Sequence, residues 1–111
     1  MDNVKDDEYY IEKCIENIDA ILAYAKNKSF DEFINDEMLI DAVMFRLVQM
    51  AENISHISIE YKNKHSKIKW GHIVGFRNGI VHDYGKTDYS IVYEIISKDL
   101  SELKEEMQDT N

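Results

Sequence analysis

The 111-residue chain contains no proline and only four glycines, so the two residues that most often interrupt helices are nearly missing. Long uninterrupted helices are therefore expected. Cys14 is the only cysteine, which excludes an intrachain disulfide and a zinc site built on cysteines. No apolar run approaches the roughly 18 residues of a membrane span, and the first eight residues are acidic, unlike a secretory signal. We expect a cytoplasmic protein without membrane contact.

The composition that remains is that of a folded protein, with 44% hydrophobic and 32% charged residues. The length suits a single domain over residues 1–111 with one modest core. The sequence shows no internal repeat, linker or low-complexity segment. One compact helical unit is therefore expected.

Charge is distributed unevenly along the chain. The formal net charge of −9 is unfavourable for general nucleic-acid binding, because phosphates need facing cations. Residues 62–86, however, contain six lysines or arginines and one aspartate, so this window carries +5 and the remainder carries −14. The same window holds three of the four histidines, His65, His72 and His82. It is the place where a negatively charged ligand would be recognised.

Apolar spacing predicts four principal helices. They cover about residues 6–26, 35–57, 68–84 and 89–107, with a short helical turn at 30–34. Residues 58–69 lack a clear period and are interpreted as a connection. Four helices with short connections form an all-α fold, an antiparallel up-and-down four-helix bundle.

The second long helix is apolar on more than one side. Beside its main stripe, a second strip is formed by Met38, Leu39, Phe45 and Met50. A helix of this kind is buried by several neighbours or by a partner chain. Because a small domain has a limited core, we favour a partner chain, and internal burial remains the alternative.

Residues 77–84 collect a guanidinium, an amide, an imidazole and a phenol on Arg77, Asn78, His82 and Tyr84. In a continuous helix Asn78 and His82 share one face, whereas Arg77 and His82 point about 140° apart. An Arg and a His on one phosphate can cleave RNA without a metal, because the imidazole accepts the 2′-hydroxyl proton and the guanidinium stabilises the charge on the phosphate. Such cleavage needs a general base and a general acid, which two facing motifs in a symmetric dimer would supply.

The same residues have purely structural interpretations. Arg77 could form an ion pair with Asp83, and His82 could be a structural histidine near a helix end. Asn78 could cap or bond the backbone, and the Tyr84 ring could pack against the bundle. A metal site has no supporting ligand spacing among His56, His65, His72 and His82. A helix-turn-helix DNA-binding protein would need a basic recognition helix, which the chain lacks. Spacing alone leaves the catalytic interpretation open.

The segment Arg77-Asn78-x3-His82-x-Tyr84 resembles the Arg-x4-His-x-Tyr signature of HEPN-domain proteins. From about residue 8 to 105 the chain resembles the HepT family of small all-helical toxins. The similarity includes Asp41-Ala42-Val43 with Arg46, Ala51-Glu52, Trp70, Gly75-Phe76 and Asp88-Tyr89-Ser90-Ile91-Val92.

The resemblance implies a metal-independent RNA endonuclease toxin of a type VII toxin–antitoxin system, without a cofactor. It would act as a homodimer with its motifs at the interface. Arg77 and His82 would carry catalysis, with Asn78 as the polar residue that follows the arginine. The RNA substrate, for which tRNA is one candidate, is expected to contact the window lysines Lys67, Lys69 and Lys86.

The implied partner is an MntA-like minimal nucleotidyltransferase antitoxin. It would transfer AMP from ATP to Tyr84, placing negative charge and bulk where the RNA phosphate must bind. An alternative function is a non-catalytic helical partner or substrate-binding subunit of a nucleotidyltransferase.

Overall fold

The computed structural model describes residues 5–71, 74–75 and 87–109. The helices in chain order are α1 (Asp7–Ala25), α2 (Phe30–Ile34), α3 (Glu37–Ser55), α4 (Ile59–Lys64), α5 (Tyr89–Glu94), a π-helix (Ile95–Asp99) and α6 (Leu100–Gln108). No β-strand occurs in these described segments, and the predicted all-α fold is confirmed. The predicted third helix, about residues 68–84, is described only in part. Its first two residues, 68 and 69, are loop, and residues 70, 71, 74 and 75 are helical. The others lie outside the described residues.

The helix ends follow from local hydrogen bonds to capping side chains. Asp6 accepts a bond from the Tyr9 amide at 2.9 Å, and Asp36 accepts one from the Leu39 amide at 3.0 Å. After α1 the chain turns at Asn27, whose φ of 61° lies in the left-handed region that asparagine tolerates. The predicted bounds of the first two long helices and of the short helix between them are thus confirmed.

The core forms where α1 and α3 pack side by side in opposite directions. Asp7 at the start of α1 bonds to Ser58 beyond the end of α3, and Cys14 contacts the backbone of Met50. The π-helix and α6 pack on α1, while α2 contacts both α3 and α5. Both predicted inner stripes face this core: on α1 and α3 the fully enclosed members include Ile11, Ile18, Ile21, Val43, Leu47 and Ile54.

The interpretation of residues 58–69 as an irregular connection is wrong, because α4 occupies half of it. Ser58 caps this helix by accepting a bond from the Tyr61 amide at 3.1 Å. Asp7 in turn accepts bonds from the Ser58 amide and hydroxyl, both at 2.8 Å. No residue of α4 is fully buried, so the helix has no apolar period by which it could be recognised.

The last helix has the predicted limits and an unpredicted π-helix inside it. Its apolar residues on the core side are buried, namely Val92, Ile95, Ile96, Leu100, Leu103 and Met107. Within the π-helix the Ser97 hydroxyl donates to the carbonyl of Tyr93 at 2.6 Å. The wider turn keeps Ile95, Ile96 and Leu100 on the inner side.

The second apolar strip of α3 divides into two parts. Leu39 and Met50 are buried within the chain, so internal packing accounts for them. Met38 and Phe45 remain 84% and 59% exposed. The predicted partner chain therefore concerns these two side chains only. None of the helices in the described segments combines the length and apolar character needed to span a bilayer.

Candidate functional site

The predicted motif lies between two well-anchored points, Trp70 and Asp88. Its residues Arg77, Asn78, His82 and Tyr84, together with the predicted RNA contact Lys86, lie outside the described residues. Their assigned roles stay predictions. The described residues show how the chain is held on either side and what surrounds Lys67 and Lys69.

On the N-terminal side the motif segment is anchored by the indole of Trp70. Its Nε1 donates to the carbonyl oxygens of Lys62 and His65, each at 3.2 Å. The ring meets Tyr61 edge-on, with 6.2 Å between centroids. Ile68, two residues earlier, is buried in the core. The start of the predicted third helix is therefore attached to α4.

On the C-terminal side Asp88 caps α5. Its Oδ1 accepts bonds from the Ser90 amide at 2.9 Å and from the Ser90 hydroxyl at 2.6 Å. These hydrogen bonds hold the pKa of the Asp88 carboxyl below its ordinary value, and the bond from the Ser90 hydroxyl contributes most. The carboxylate therefore stays ionised at neutral pH. Val92, one turn further on, is fully buried and fixes α5 to the core.

Lys67 and Lys69 are both exposed, as an RNA contact requires. Lys67 borders a shallow cavity of about 420 Å³. The carboxylates Glu106 and Asp109, near the end of α6, line the same cavity. The basic window is therefore flanked on one side by acidic groups, and a phosphate would be attracted only to its other sides.

The described histidines contact different aromatic rings. His56 stacks on Tyr10 with 5.1 Å between centroids, and His65 lies 4.5 Å from the ring of Tyr61. Within the described ranges no group of three His, Cys, Asp or Glu residues could hold a metal ion. His72 and His82 lie outside those ranges.

Cys14 is placed where it cannot act as a nucleophile. It is fully buried, and its Sγ donates to the Met50 carbonyl at 3.7 Å. Burial raises the pKa of the Cys14 thiol to about 12. Because the thiolate is the reactive form, this residue serves packing.

A second polar cluster, which the sequence did not predict, joins α1 to α3. Arg46 on α3 donates through Nη1 to Oδ1 of Asn17 and through Nη2 to the hydroxyl of Tyr24, both at 3.2 Å. Asn17 is only 6% exposed, and its Nδ2 donates to the Lys13 carbonyl at 2.9 Å. The signal that could have found it is a lone amide among the inward-facing apolar residues of α1.

Asn17 and Arg46 of this cluster line an open cleft of about 310 Å³ between α1 and α3. Its lining combines four kinds of side chain: aromatic rings, cations, amides and one carboxylate. The members are Tyr9, Lys13, Glu16, Asn17, Phe45, Arg46, Gln49 and Asn53. Such a lining can contact both an anion and a flat ring.

Comparison with known protein families gives the class of this protein. A family model described as Ribonuclease HepT-like matches residues 11–110, nearly the whole chain. The chain belongs to this family.

Individual relatives agree with this assignment. "Putative RNase TTE0752" of Caldanaerobacter subterraneus subsp. tengcongensis is 29% identical over 100 residues, covering 90% of this chain and 89% of the relative. "Gamma-glutamylcyclotransferase and putative RNase MJ0434" of Methanocaldococcus jannaschii is 31% identical over 93% of this chain, which spans only 46% of that protein. "Probable ribonuclease HepT" of Thermococcus cleftensis is 25% identical, covering 86% of each. No solved structure matches the chain.

Proposed function

We propose that this protein is an RNA endonuclease toxin that cleaves its substrate without a metal ion. The observation that carries the proposal is the family match over residues 11–110, which contains the complete Arg77-x4-His82-x-Tyr84 motif. The anchoring of the segment at Trp70 and Asp88 supports it, because catalytic side chains need a rigid frame.

In the proposed reaction the His82 imidazole accepts the proton of a ribose 2′-hydroxyl. The 2′-oxygen forms a bond to the adjacent phosphorus, the bond from phosphorus to the 5′-oxygen breaks, and that oxygen leaves with a proton from a general acid. Arg77 binds the phosphate and stabilises the charge of the transition state. The products are a 2′,3′-cyclic phosphate and a 5′-hydroxyl.

The general acid would come from the His82 of a second copy in a homodimer with facing motifs. Asn78 would orient the phosphate beside Arg77. Lys67, Lys69 and Lys86 would contact the RNA backbone on the side away from Glu106 and Asp109. The exposed positions of Lys67 and Lys69 support that part of the proposal.

The experiment that tests this reaction identifies the ends of the RNA products. Purified protein is incubated with total RNA and with tRNA in excess EDTA, and the products are treated with a 2′,3′-cyclic phosphatase and with a 5′-kinase. We expect cyclic phosphate and 5′-hydroxyl ends. Products with a 5′-phosphate, or cleavage that EDTA abolishes, would contradict the mechanism. Absence of cleavage together with a stable nucleotidyltransferase complex would favour the non-catalytic partner instead.

Inactivation is proposed to occur by AMPylation of Tyr84 within a type VII toxin–antitoxin pair. An MntA-like nucleotidyltransferase would direct the Tyr84 hydroxyl at the α-phosphorus of ATP, forming a phosphodiester and releasing pyrophosphate. Intact mass spectrometry after co-expression with such an enzyme should show added AMP units and lost cleavage. Tyr84→Phe should abolish the mass shift at this site, whereas the control Tyr89→Phe should retain it. An unchanged shift in Tyr84→Phe would reject this residue as the acceptor.

A further inference from the structure

The cleft between α1 and α3 contains the guanidinium of Arg46, which can donate further hydrogen bonds. Two of the five N–H groups of Arg46 are used by Asn17 and Tyr24. Both acceptors are neutral, and no carboxylate in the described part of the chain lies within ion-pair distance of Arg46. Among those described residues its charge is held in place without an ion-pair partner, which is the arrangement that suits an incoming anion.

The support behind Arg46 is rigid. Asn17 is more than nine-tenths buried, and both ends of its amide are bonded, to Arg46 and to the Lys13 carbonyl. The Tyr24 ring also lies 5.9 Å from the guanidinium carbon. Since burying an amide is costly unless it is fully bonded, this position fixes the direction of Arg46 rather than merely filling space.

Lys13 and Phe45 complete the cleft on its two sides. Lys13 lies 5.5 Å from the Tyr9 ring and 3.4 Å from Glu16, and its side chain is 40% exposed. Phe45 is 59% exposed on the wall of the same cleft, so one large aromatic face borders two cations. Gln49, one turn after Phe45, adds an amide that can donate and accept.

We propose that this cleft binds one nucleotide unit of a single-stranded RNA, with its phosphate on Arg46 and Lys13 and its base stacked on Phe45. Aromatic faces flanked by cations are the usual platform for single-stranded nucleic acid. The volume of about 310 Å³ lies at the lower end of ligand sites, which suits a single nucleotide. The assignment rests on the proposed ribonuclease function and adds a substrate contact outside the 62–86 window.

Charge favours RNA over an apolar protein partner as the occupant. The chain carries −9 overall, whereas the lining of the cleft has two cations and one carboxylate. A local positive site on an acidic protein selects anions, and the amides beside it would remain unpaired against an apolar surface.

The test measures binding of a short fluorescein-labelled single-stranded RNA by anisotropy in a His82→Ala background, so that cleavage does not consume the probe. Phe45→Ala should raise Kd about tenfold without changing its salt dependence, because it removes a stack. Lys13→Gln should raise Kd and lower the slope of log Kd against log salt by about 0.7, the value for one phosphate contact to a single strand.

Two matched controls lie outside the cleft. Ile34→Ala removes an exposed apolar side chain from α2, and Lys98→Gln removes an exposed cation from the π-helix. Both should bind RNA like the parent. Phe45 is exposed, so its variant should fold normally, and circular dichroism checks this.

Binding by Phe45→Ala and Lys13→Gln that equals the controls would overturn the cleft assignment, and so would an absence of any RNA binding. If Phe45→Ala weakened self-association in sedimentation experiments and left RNA binding unchanged, the face would be a protein interface and the assignment would also fail. Cleavage by the wild-type chain is measured separately. If the wild-type chain cleaves RNA and Phe45→Ala binds RNA as tightly as the parent, only the cleft assignment is rejected. If RNA binds at the cleft but is not cleaved, only the ribonuclease function is rejected.

Discussion

Cys14 and Asn17 lie three residues apart on the inner side of α1. Both side chains are buried, and each one finds its hydrogen-bond partner in a different way. The Cys14 thiol donates weakly to a carbonyl across the interface with α3. The Asn17 amide bonds within its own helix and to Arg46. A lone asparagine among the inward-facing apolar residues of α1 indicates a buried polar group, but it does not identify Arg46 as the partner. The partner of Asn17 is 29 residues away in sequence.

The buried thiol gives a prediction at this scale. Because burial raises the pKa of Cys14 to about 12, the native protein should hardly react with a thiol reagent at mildly alkaline pH, whereas protein in denaturant should react completely. The folded pKa lies above the unfolded value of about 8.5, so stability should decrease as pH rises beyond that value. Cys14→Ala, which has no cysteine, is the control for background reaction of the thiol reagent. Fast labelling of the native protein would contradict this placement.

Among the elements, α4 and the motif segment depend on each other. α4 has no buried residue of its own and is held by Ser58 at its start and by the indole of Trp70 near its end. Within the described residues, sequence periodicity predicted the helices that have an apolar face and missed α4, because the stability of α4 comes from hydrogen bonds and ring contacts. It also missed the π-helix at Ile95–Asp99, where the pattern of buried residues continues across a wider turn.

Trp70→Phe tests the attachment of the motif segment. The change keeps a ring but removes the N–H bonded to Lys62 and His65, so the free energy of unfolding should fall by about 1 kcal/mol. RNA cleavage should fall as well, because the segment that precedes Arg77 in the sequence loses its anchor at Trp70. Trp70→Ala should cost more by both measures. The free energy of unfolding is measured in urea, and the cleavage rate is measured separately. If both values for Trp70→Phe equal those of wild type, the indole hydrogen bonds do not position the site.

Across the whole molecule, charge is the property that most constrains an RNA-directed function. The 62–86 window carries +5 and the remaining chain −14, so RNA should be attracted mainly to the window, with the cleft of Lys13 and Arg46 as a second, local positive site. This separation of charge follows from the sequence alone, whereas the roles of the motif residues stay predictions. The sequence could not predict the carboxylates of Glu106 and Asp109 beside Lys67, because only the folded chain brings α6 beside the window.

The uneven charge predicts a strong and local salt dependence. KM for RNA should rise steeply with KCl while kcat changes little, because phosphate contacts bind substrate without taking part in the bond changes. Lys69→Gln should lower the slope of log KM against log salt by about 0.7. Lys26→Gln, an exposed lysine outside the window, is the matched control. Equal slopes for the two variants would contradict the role of the window.

The most direct test of the central claim compares His82→Ala with His56→Ala in single-turnover RNA cleavage with EDTA present. His56 is an exposed histidine that stacks on Tyr10, so its loss should leave the rate near that of wild type. Loss of a general base should lower the His82→Ala rate by roughly 10² to 10⁴-fold. Cleavage by His82→Ala at the rate of His56→Ala would show that residues 77–84 are not the catalytic site of this chain.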